Sequence, residues 1–474
     1  MTSTPKLAPA ALAGLSLTVL LSTLNTSIVN VALPTLARVF EASTQAAQWT
    51  VIAFVLAITA LIVSAGRLAD IVGRRRLLLG GVMLFTAAAG GCALVTSLSW
   101  LIALRFVQGI GAAVMMAISV ALVGDLTAEN KAGRVMGVLG SMSAIGTALG
   151  PALGGLLIAS FGWRAIFLVN LPLGLLALAL VRRGVPADRA APRTPLKEFD
   201  VVGTALLAGS LAAYALALTR GRGGFGAGNL ALLALAALGL GGFVRSQKSN
   251  ASPLVRLELL KIGALRSGLS MSLLVAAVMM STLVVGPFYL AQALAVEART
   301  MGLVLSIGPV MAALVAGPAG RLVDRIGTRQ TTLFGLAGAG AGCLAVALLP
   351  ERSGLIGYLV PVAVMTAGYS LFQTANNTAV MRIATADQRG VISGLLNLSR
   401  NLGLVTGASL LGGIFAWAAE RGAASGAESA AFATRTTFAG ATVFIAGALL
   451  LSLRAPRPGE AGPTTIPALK ISVR

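Results

Sequence analysis

The chain has 474 residues, 57% of them apolar and only 11% charged, against roughly 25% charged in a soluble domain, so an ordinary soluble globular protein is excluded. Thirty-six Lys and Arg against 15 Asp and Glu give a formal charge of +21, a balance that can mark a nucleic-acid binder. Here the basic residues lie between apolar runs and form no stripe with interleaved aromatics, so no nucleic-acid partner is expected.

The apolar residues come in recurrent runs of about 18 or more, the length that spans roughly 30 Å of hydrocarbon. In chain order they predict helices at 11–33, 47–66, 77–98, 100–122, 134–158, 163–181, 201–219, 228–244, 268–292, 301–319, 331–349, 354–380, 390–416 and 437–453. The first run is too long for a removable signal and is followed by no small-residue cleavage site, so it is expected to remain as the first helix. The fold class is an all-α integral membrane protein with 14 transmembrane helices. Cys92 and Cys343 fall inside apolar runs, where free Cys behaves as a small hydrophobe. Neither a disulfide nor a metal site is expected.

An even number of spans puts both termini on one side. With the N-terminus inside, about 26 of the 36 Lys and Arg fall in inside loops and tails and about 8 outside, the asymmetry of the positive-inside rule. Trp49, Trp100, Trp163 and Trp417 then all lie near the outer interface, where amphipathic rings concentrate. The expected location is a bacterial cytoplasmic membrane with both termini cytoplasmic. The bacterial part rests on the Ala, Gly and Arg richness of a GC-rich coding sequence.

The chain also resembles itself. Gly66, Arg67, Leu68, Asp70, Gly73 and Arg75 in GRLADIVGRRR recur as Gly320, Arg321, Leu322, Asp324, Gly327 and Arg329 in GRLVDRIGTRQ, and Gly137, Gly146, Gly150 and Gly155 recur as Gly394, Gly403, Gly407 and Gly412. Two pseudo-symmetric six-helix bundles follow, at 1–181 and 268–455. A linker at 182–267 carries two further helices and basic cytoplasmic loops, and a cytoplasmic tail occupies 456–474. Parallel repeats of this kind place a site at their interface near the bilayer midplane, exposed alternately to the two sides by rocking.

At these residues the sequence resembles the major facilitator superfamily, in particular its fourteen-helix drug:proton antiporter branch. GRLADIVGRRR is similar to the superfamily's loop between helices 2 and 3, LIALRFVQGIGAA to its helix 4 segment, and GTALGPALGGLL to the helix 5 segment of exporters. TSIVNVALP, GWRAIFLVNLPLG and GLLNLSRNLG resemble stretches of the fourteen-helix branch. The resemblance implies a secondary transporter exporting small amphipathic molecules such as drugs, antibiotics or metabolites by alternating access. It would use no cofactor, draw on the proton gradient, and work as a monomer in the lipid bilayer. It also implies that Asp70, Arg74 and Arg75 form a cytoplasmic charge latch between the halves, with Asp324, Arg325 and Arg329 as partial counterpart.

Residue chemistry offers alternatives at several of these positions. Asp70 stands just before helix 3, where a carboxylate can cap free N–H groups, while Gly66 and Gly73 would let helix ends approach. Gly146, Gly150, Pro151, Gly154 and Gly155 read as close-packing positions with a kink, and their link to export comes from the resemblance. Arg105 and Arg400 lie within spans, where a charge costs about 2.5–3.5 kcal/mol and faces a wet cavity or a partner. Snorkelling to the interface is the alternative for Arg105, and proton coupling is what the resemblance implies for it. Asn25 stands where proton-coupled relatives commonly carry Asp. Coupling is then left to Asp125 or Asp70, to protons carried by the substrate, or to none. Without a buried carboxylate, neutral or anionic substrates are favoured. Cavity candidates are Asn25, Asn30, Gln108, Tyr289, Gln292, Tyr369, Gln373, Asn376 and Asn377, with the last three polar residues of that series the densest patch; each could instead bond a neighbouring helix.

Two other functions compete. An uptake permease or uncoupled facilitator has the same architecture. A membrane enzyme lacks support, since the sequence holds no HExxH, no acidic pair within a span, no His and no phosphate-binding GxxxxGK[ST] loop.

Overall fold

The computed structural model describes residues 8–126, 129–188, 200–219, 226–249, 257–350, 354–383, 389–422 and 426–454. The side chains of Asp70 and Asp125, and the tail expected at 456–474, lie outside the described residues. Thirteen helical runs are long and apolar enough to cross a membrane. One of them, Ala298–Ala347, is two helices meeting at Gly327, where φ is 85° and ψ is 166°. The chain therefore crosses fourteen times.

In chain order the helices are α1 (Pro9–Val39), α2 (Thr44–Val72), α3 (Arg74–Leu94), α4 (Leu98–Leu126), α5 (Glu129–Phe161), α6 (Ala165–Gly184), α7 (Val201–Thr219) and α8 (Ala227–Ser249). Then come α9 (Gly263–Ala293), α10 (298–326), α11 (328–347), α12 (Gly354–Ile383), α13 (Arg389–Arg421) and α14 (Ala427–Arg454). Helices are what lipid demands of such segments, because each backbone N–H and C=O must find its partner within the span. Two spans contain a turn of π-helix, Tyr289–Ala293 in α9 and Gly407–Leu411 in α13. The expected third helix began at 77 and ran to 98; it starts at Arg74 and stops at Leu94. We call the end holding the start of α1 and the finish of α14 the terminal end, and the opposite one the far end.

The internal repeat recurs as geometry. Gly73 joins α2 to α3 as a one-residue turn with φ 104°, and its counterpart Gly327 joins α10 to α11 with φ 85°. Only glycine enters that region at no steric cost, which explains why the repeat keeps Gly there. Gly66 and its counterpart Gly320 have no such role: a Cβ at either would meet nothing within 4 Å. The close approach expected at Gly66 is therefore absent.

Glycines also set the helix packing. Gly146, Gly150 and Gly154 lay α5 against α1, facing Leu20 and Thr23, Ser27, and Ile28 in turn. Gly403 and Gly407 lay α13 against α9 in the same manner, facing Leu273 and Ala277. The two bundles thus share one packing scheme.

The linking pair α7 and α8 departs from it. α8 packs on α7 and leaves Leu230, Leu235, Leu238 and Leu240 exposed, a face suited to lipid. α7 touches both bundles. Ser64 on α2 shares a 2.7 Å hydrogen bond with Thr204, and the Trp49 indole donates to Thr219 at 3.1 Å. Tyr214 donates to Thr406 on α13 at 3.4 Å. Asp200 caps α7 through the Gly203 N–H at 2.8 Å and accepts from the Gln247 amide on α8 at 2.6 Å.

Candidate functional site

A hollow of about 230 Å³ lies between the bundles, lined by α1, α2, α4 and α5 on one side and α9, α10, α12 and α13 on the other. Its wall is mostly apolar, with Met116, Met279 and Met280 among the lining residues. Unbranched thioethers of this kind adapt to differently shaped guests. Polar groups come from Thr23, Thr26, Ser27, Ser143, Thr147, Thr282, Tyr358, Thr366, Tyr369 and Asn401. Among the described lining residues Arg400 is the single charged side chain. Its guanidinium donates at 3.3 Å to the amide oxygen of Asn397, a neutral partner one turn away.

Tyr358 stands out on the α12 wall. It is 1% exposed, its ring stacks on Tyr289 with centroids 5.1 Å apart, and its hydroxyl has no hydrogen-bond partner among the described residues. Gly286 on α9 lies directly against that hydroxyl, so the absent side chain there leaves it room.

Of the expected cavity residues, Tyr369 and Arg400 line the hollow. Asn25, Gln108 and Arg105 are brought together, but inside the N-terminal bundle. Arg105 is fully buried, so it does not snorkel. Its Nε donates to the Thr50 carbonyl at 2.9 Å, one terminal nitrogen donates to the side-chain oxygens of Asn25 and of Gln108 (2.7 Å to the latter), and the other reaches the Asn25 carbonyl at 3.4 Å. The guanidinium lies 4.0 Å from the centroid of the Phe54 ring. Each of these acceptors is neutral. A buried cation is tolerable where all its donors are met, and removing it would strand the acceptors.

The remaining candidates have other surroundings. Asn30 is buried on α1, bonded to the Thr26 and Ser27 carbonyls at 3.1 and 3.2 Å. Asn376 donates to the Gly268 carbonyl on α9 at 3.1 Å, a helix-to-helix tie. Asn377 and Gln292 are exposed, Gln373 is half-buried, and none of the three is among the lining residues. The dense patch on α12 is therefore not brought to the hollow. Tyr289 reaches it through the stack on Tyr358.

Two close contacts between the bundles lie towards the far end of the hollow. Gly155 on α5 meets Gly302 on α10 so closely that a Cβ at 155 would lie 3.0 Å from the Gly302 Cα. Gly412 on α13 meets Gln48 on α2, where a Cβ at 412 would lie 2.6 Å from the Gln48 amide oxygen. The repeat relates the two contacts, since Gly155 corresponds to Gly412 and Gln48 to Gly302. The glycines read from sequence as one exporter segment therefore divide: Gly146, Gly150 and Gly154 pack within a bundle, and Gly155 packs between bundles. Pro151 lies within α5, and its carbonyl faces Gly302.

At the terminal end, the carboxylate that caps α3 is that of Asp188, accepting from the Arg75 and Arg76 N–H groups at 2.8 and 3.0 Å. Asp188 is thus a cap of α3, while the side chain of Asp70 lies outside the described residues. Arg75 donates to the Arg182 carbonyl on α6 at 2.6 Å, and Arg329 to the Leu453 carbonyl on α14 at 3.3 Å. Arg74 donates to the Ala121 carbonyl on α4 at 3.4 Å. These contacts stay within one bundle each, and those of Arg75 and Arg329 again obey the repeat. Asp324 and Arg325 follow on α10, both exposed.

The sequence and fold have counterparts among known proteins. The family model described as Major Facilitator Superfamily matches residues 15–408 and 283–473. "Multidrug resistance protein Stp" of Mycobacterium tuberculosis is 32% identical over 399 residues, 83% of this chain and 73% of that protein. "Riboflavin transporter RibZ" of Clostridioides difficile is 29% identical over 399 residues, 84% of this chain and 86% of that protein. The crystal structure of a bacterial homologue of the human lysosomal transporter Spinster, inward-facing and unoccupied, superposes with a TM-score of 0.69 at 16% identity, covering 94% of this chain and 97% of that one.

Proposed function

The chain belongs to the major facilitator superfamily, and from that premise we propose that this multi-pass membrane transporter exports small amphipathic molecules by alternating access. The observation that carries the reading is the hollow between two repeat-related bundles, lined from both and bridged towards the far end by a pair of contacts that the repeat itself relates. A seam made of glycines without intervening side chains can part and re-form at little cost, because no interdigitated side chains must be pulled apart. Rocking of one bundle against the other would then carry the hollow from the terminal side to the far side.

The charge asymmetry of the loops supports a cytoplasmic terminal end. Outward transport rests on the helix 5 glycine-proline segment and on relatives named for multidrug resistance. The proton gradient is the energy source we favour. No described acidic residue lines the hollow, so protons would enter through Asp70 or Asp125 at the terminal edge or travel with the substrate. Asp70 with Arg74 and Arg75 remains the candidate for a latch at that end. The relative named for riboflavin supports a second reading, in which the cargo is a metabolite rather than a toxin.

Cells carrying the chain should accumulate less of a fluorescent amphipathic dye than cells lacking it, and the difference should vanish when a protonophore collapses the gradient. Equal accumulation in both, across chemically diverse dyes and toxins, would remove the export reading. Greater accumulation in carrying cells would replace it with uptake.

A further inference from the structure

We infer that the hollow selects elongated aromatic anions, holding the anionic group at Arg400 and a distal oxygen at the Tyr358 hydroxyl. This rests on the transport reading and names the cargo of the same site. Arg400 is the one charge among the described lining residues, and its hydrogen-bond partner, the Asn397 amide, is neutral. A guanidinium in low dielectric without a carboxylate partner attracts an anion and repels a cation, and its planar fork matches a carboxylate or sulfonate.

Tyr358 supplies the second point. A phenol that is 1% exposed, lines the hollow and has no partner among the described residues is anomalous, since buried hydroxyls are almost always satisfied. The hydroxyl now packs against Gly286, and a ligand oxygen would satisfy it once the side chain turns towards the hollow. Its ring lies against Tyr289, with centroids 5.1 Å apart.

The two points stand at different depths. Tyr358, Thr366 and Tyr369 share the hollow-facing side of α12, and eleven residues of helix separate the tyrosines, about 16 Å at 1.5 Å per residue. Counted from the terminal ends of their helices at Arg389 and Ile383, Arg400 lies 11 residues in and Tyr369 lies 14 in. Arg400 therefore works near the level of Tyr369, and Tyr358 well towards the far end. Between them the wall is apolar and methionine-rich, which suits flat aromatic rings. A guest that engages both points must be long, flat and negatively charged at one end.

The test uses two xanthene dyes of closely similar shape and opposite charge, anionic fluorescein and cationic rhodamine 123. Binding is read by fluorescence anisotropy with the full chain in phosphatidylcholine nanodiscs. Fluorescein should bind saturably and about tenfold or more tighter than rhodamine 123. Arg400→Gln should erase that preference and Arg400→Lys should keep most of it. Tyr358→Phe, which removes one oxygen and keeps the stack, should weaken fluorescein by roughly threefold. No saturable fluorescein binding, rhodamine 123 binding as tightly or tighter, or an Arg400→Gln protein within about twofold of the parent would overturn the inference. Export of rhodamine 123 without fluorescein binding would sink the anion preference and leave export standing. Saturable fluorescein binding without dye movement in proteoliposomes would sink export and leave the preference standing.

Discussion

The two seams towards the far end are copies of one another by the repeat, yet they differ in what fills them. The α5/α10 seam is backbone against backbone, Gly155 on Gly302. The α2/α13 seam has an amide in the corresponding place, and neither amide atom of the buried Gln48 has a hydrogen-bond partner among the described residues. α7 lies across this second seam, bonded to Trp49 and Ser64 on one side and to Thr406 on the other, with the Leu218 carbonyl against Gly413. Arg105 anchors α2 from behind through Thr50 and Phe54. Duplicated sequence has thus produced one bare seam and one braced seam. The lesson is that pseudo-symmetry of packing does not require symmetry of bracing, and the rocking account expects the bare seam to part with the braced one as its pivot.

The sharpest way to break this contrast is to remove the anchor. Arg105→Ala would leave the Asn25 and Gln108 side-chain oxygens and the Thr50 carbonyl without their donor, a loss of about 3–5 kcal/mol by analogy with broken buried charge networks. A fall of many degrees in the melting temperature of purified protein is expected; an unchanged melting curve would show that Arg105 anchors nothing. Next, Gly155→Leu should wedge the bare seam apart and cut dye export by about tenfold or more, equivalent to over 1.4 kcal/mol, while protein remains in the membrane fraction. Export at the parental rate would mean that this seam need not close.

The braced seam should respond in the opposite sense. Gln48→Met keeps the volume and removes the unpaired amide, so stability should rise by roughly 1 kcal/mol, visible as a higher melting temperature with slower export. A lower melting temperature would show that the amide is satisfied. Smallest of all, Thr219→Val removes one hydrogen bond of the brace, worth about 0.5–1.5 kcal/mol. Its expected signature is a modestly faster export rate, and a loss of export would contradict a bracing role for α7.

Much of this architecture was legible in the residues. Apolar run length gave the fourteen spans, and the recurring GRLxD segment foretold the shared turn geometry at Gly73 and Gly327. Arg400 and Tyr369 were recognisable as hollow-lining because charge and phenol are out of place in lipid. Other features could not be read so directly. Asn25 and Arg105 pair across 80 residues inside one bundle, and nothing in a helical period says whether a polar side chain faces a hollow or a neighbour. For the same reason Asn376 turned out to tie α12 to α9. Thr23, Thr26 and Ser27 escaped notice because each bonds its own preceding turn, at 3.0, 2.9 and 3.3 Å, which lets hydroxyls pass unremarked in apolar helices. Tyr358 carried one usable signal, a phenol alone in the apolar first third of a span whose other polar residues follow from Thr366 onwards. Asp188 carried none, since its place beside Arg75 depends on how the chain returns after α6.

The finding about Asn25 also alters what an acidic residue there would do. With the Arg105 guanidinium bonded to the Asn25 oxygen, Asn25→Asp would form a buried ion pair within the bundle rather than present a charge to the hollow.

The most direct test of the rocking account is a distance across the bare seam. Spin labels at Leu156→Cys and Leu303→Cys, both exposed on the far third of α5 and α10, can be read by double electron–electron resonance, since the native Cys92 and Cys343 are buried. Two populations are expected, one short and one long, with the balance moving when a transported dye or a pH gradient is applied. A single short distance under every condition, in protein that still transports, would contradict the account.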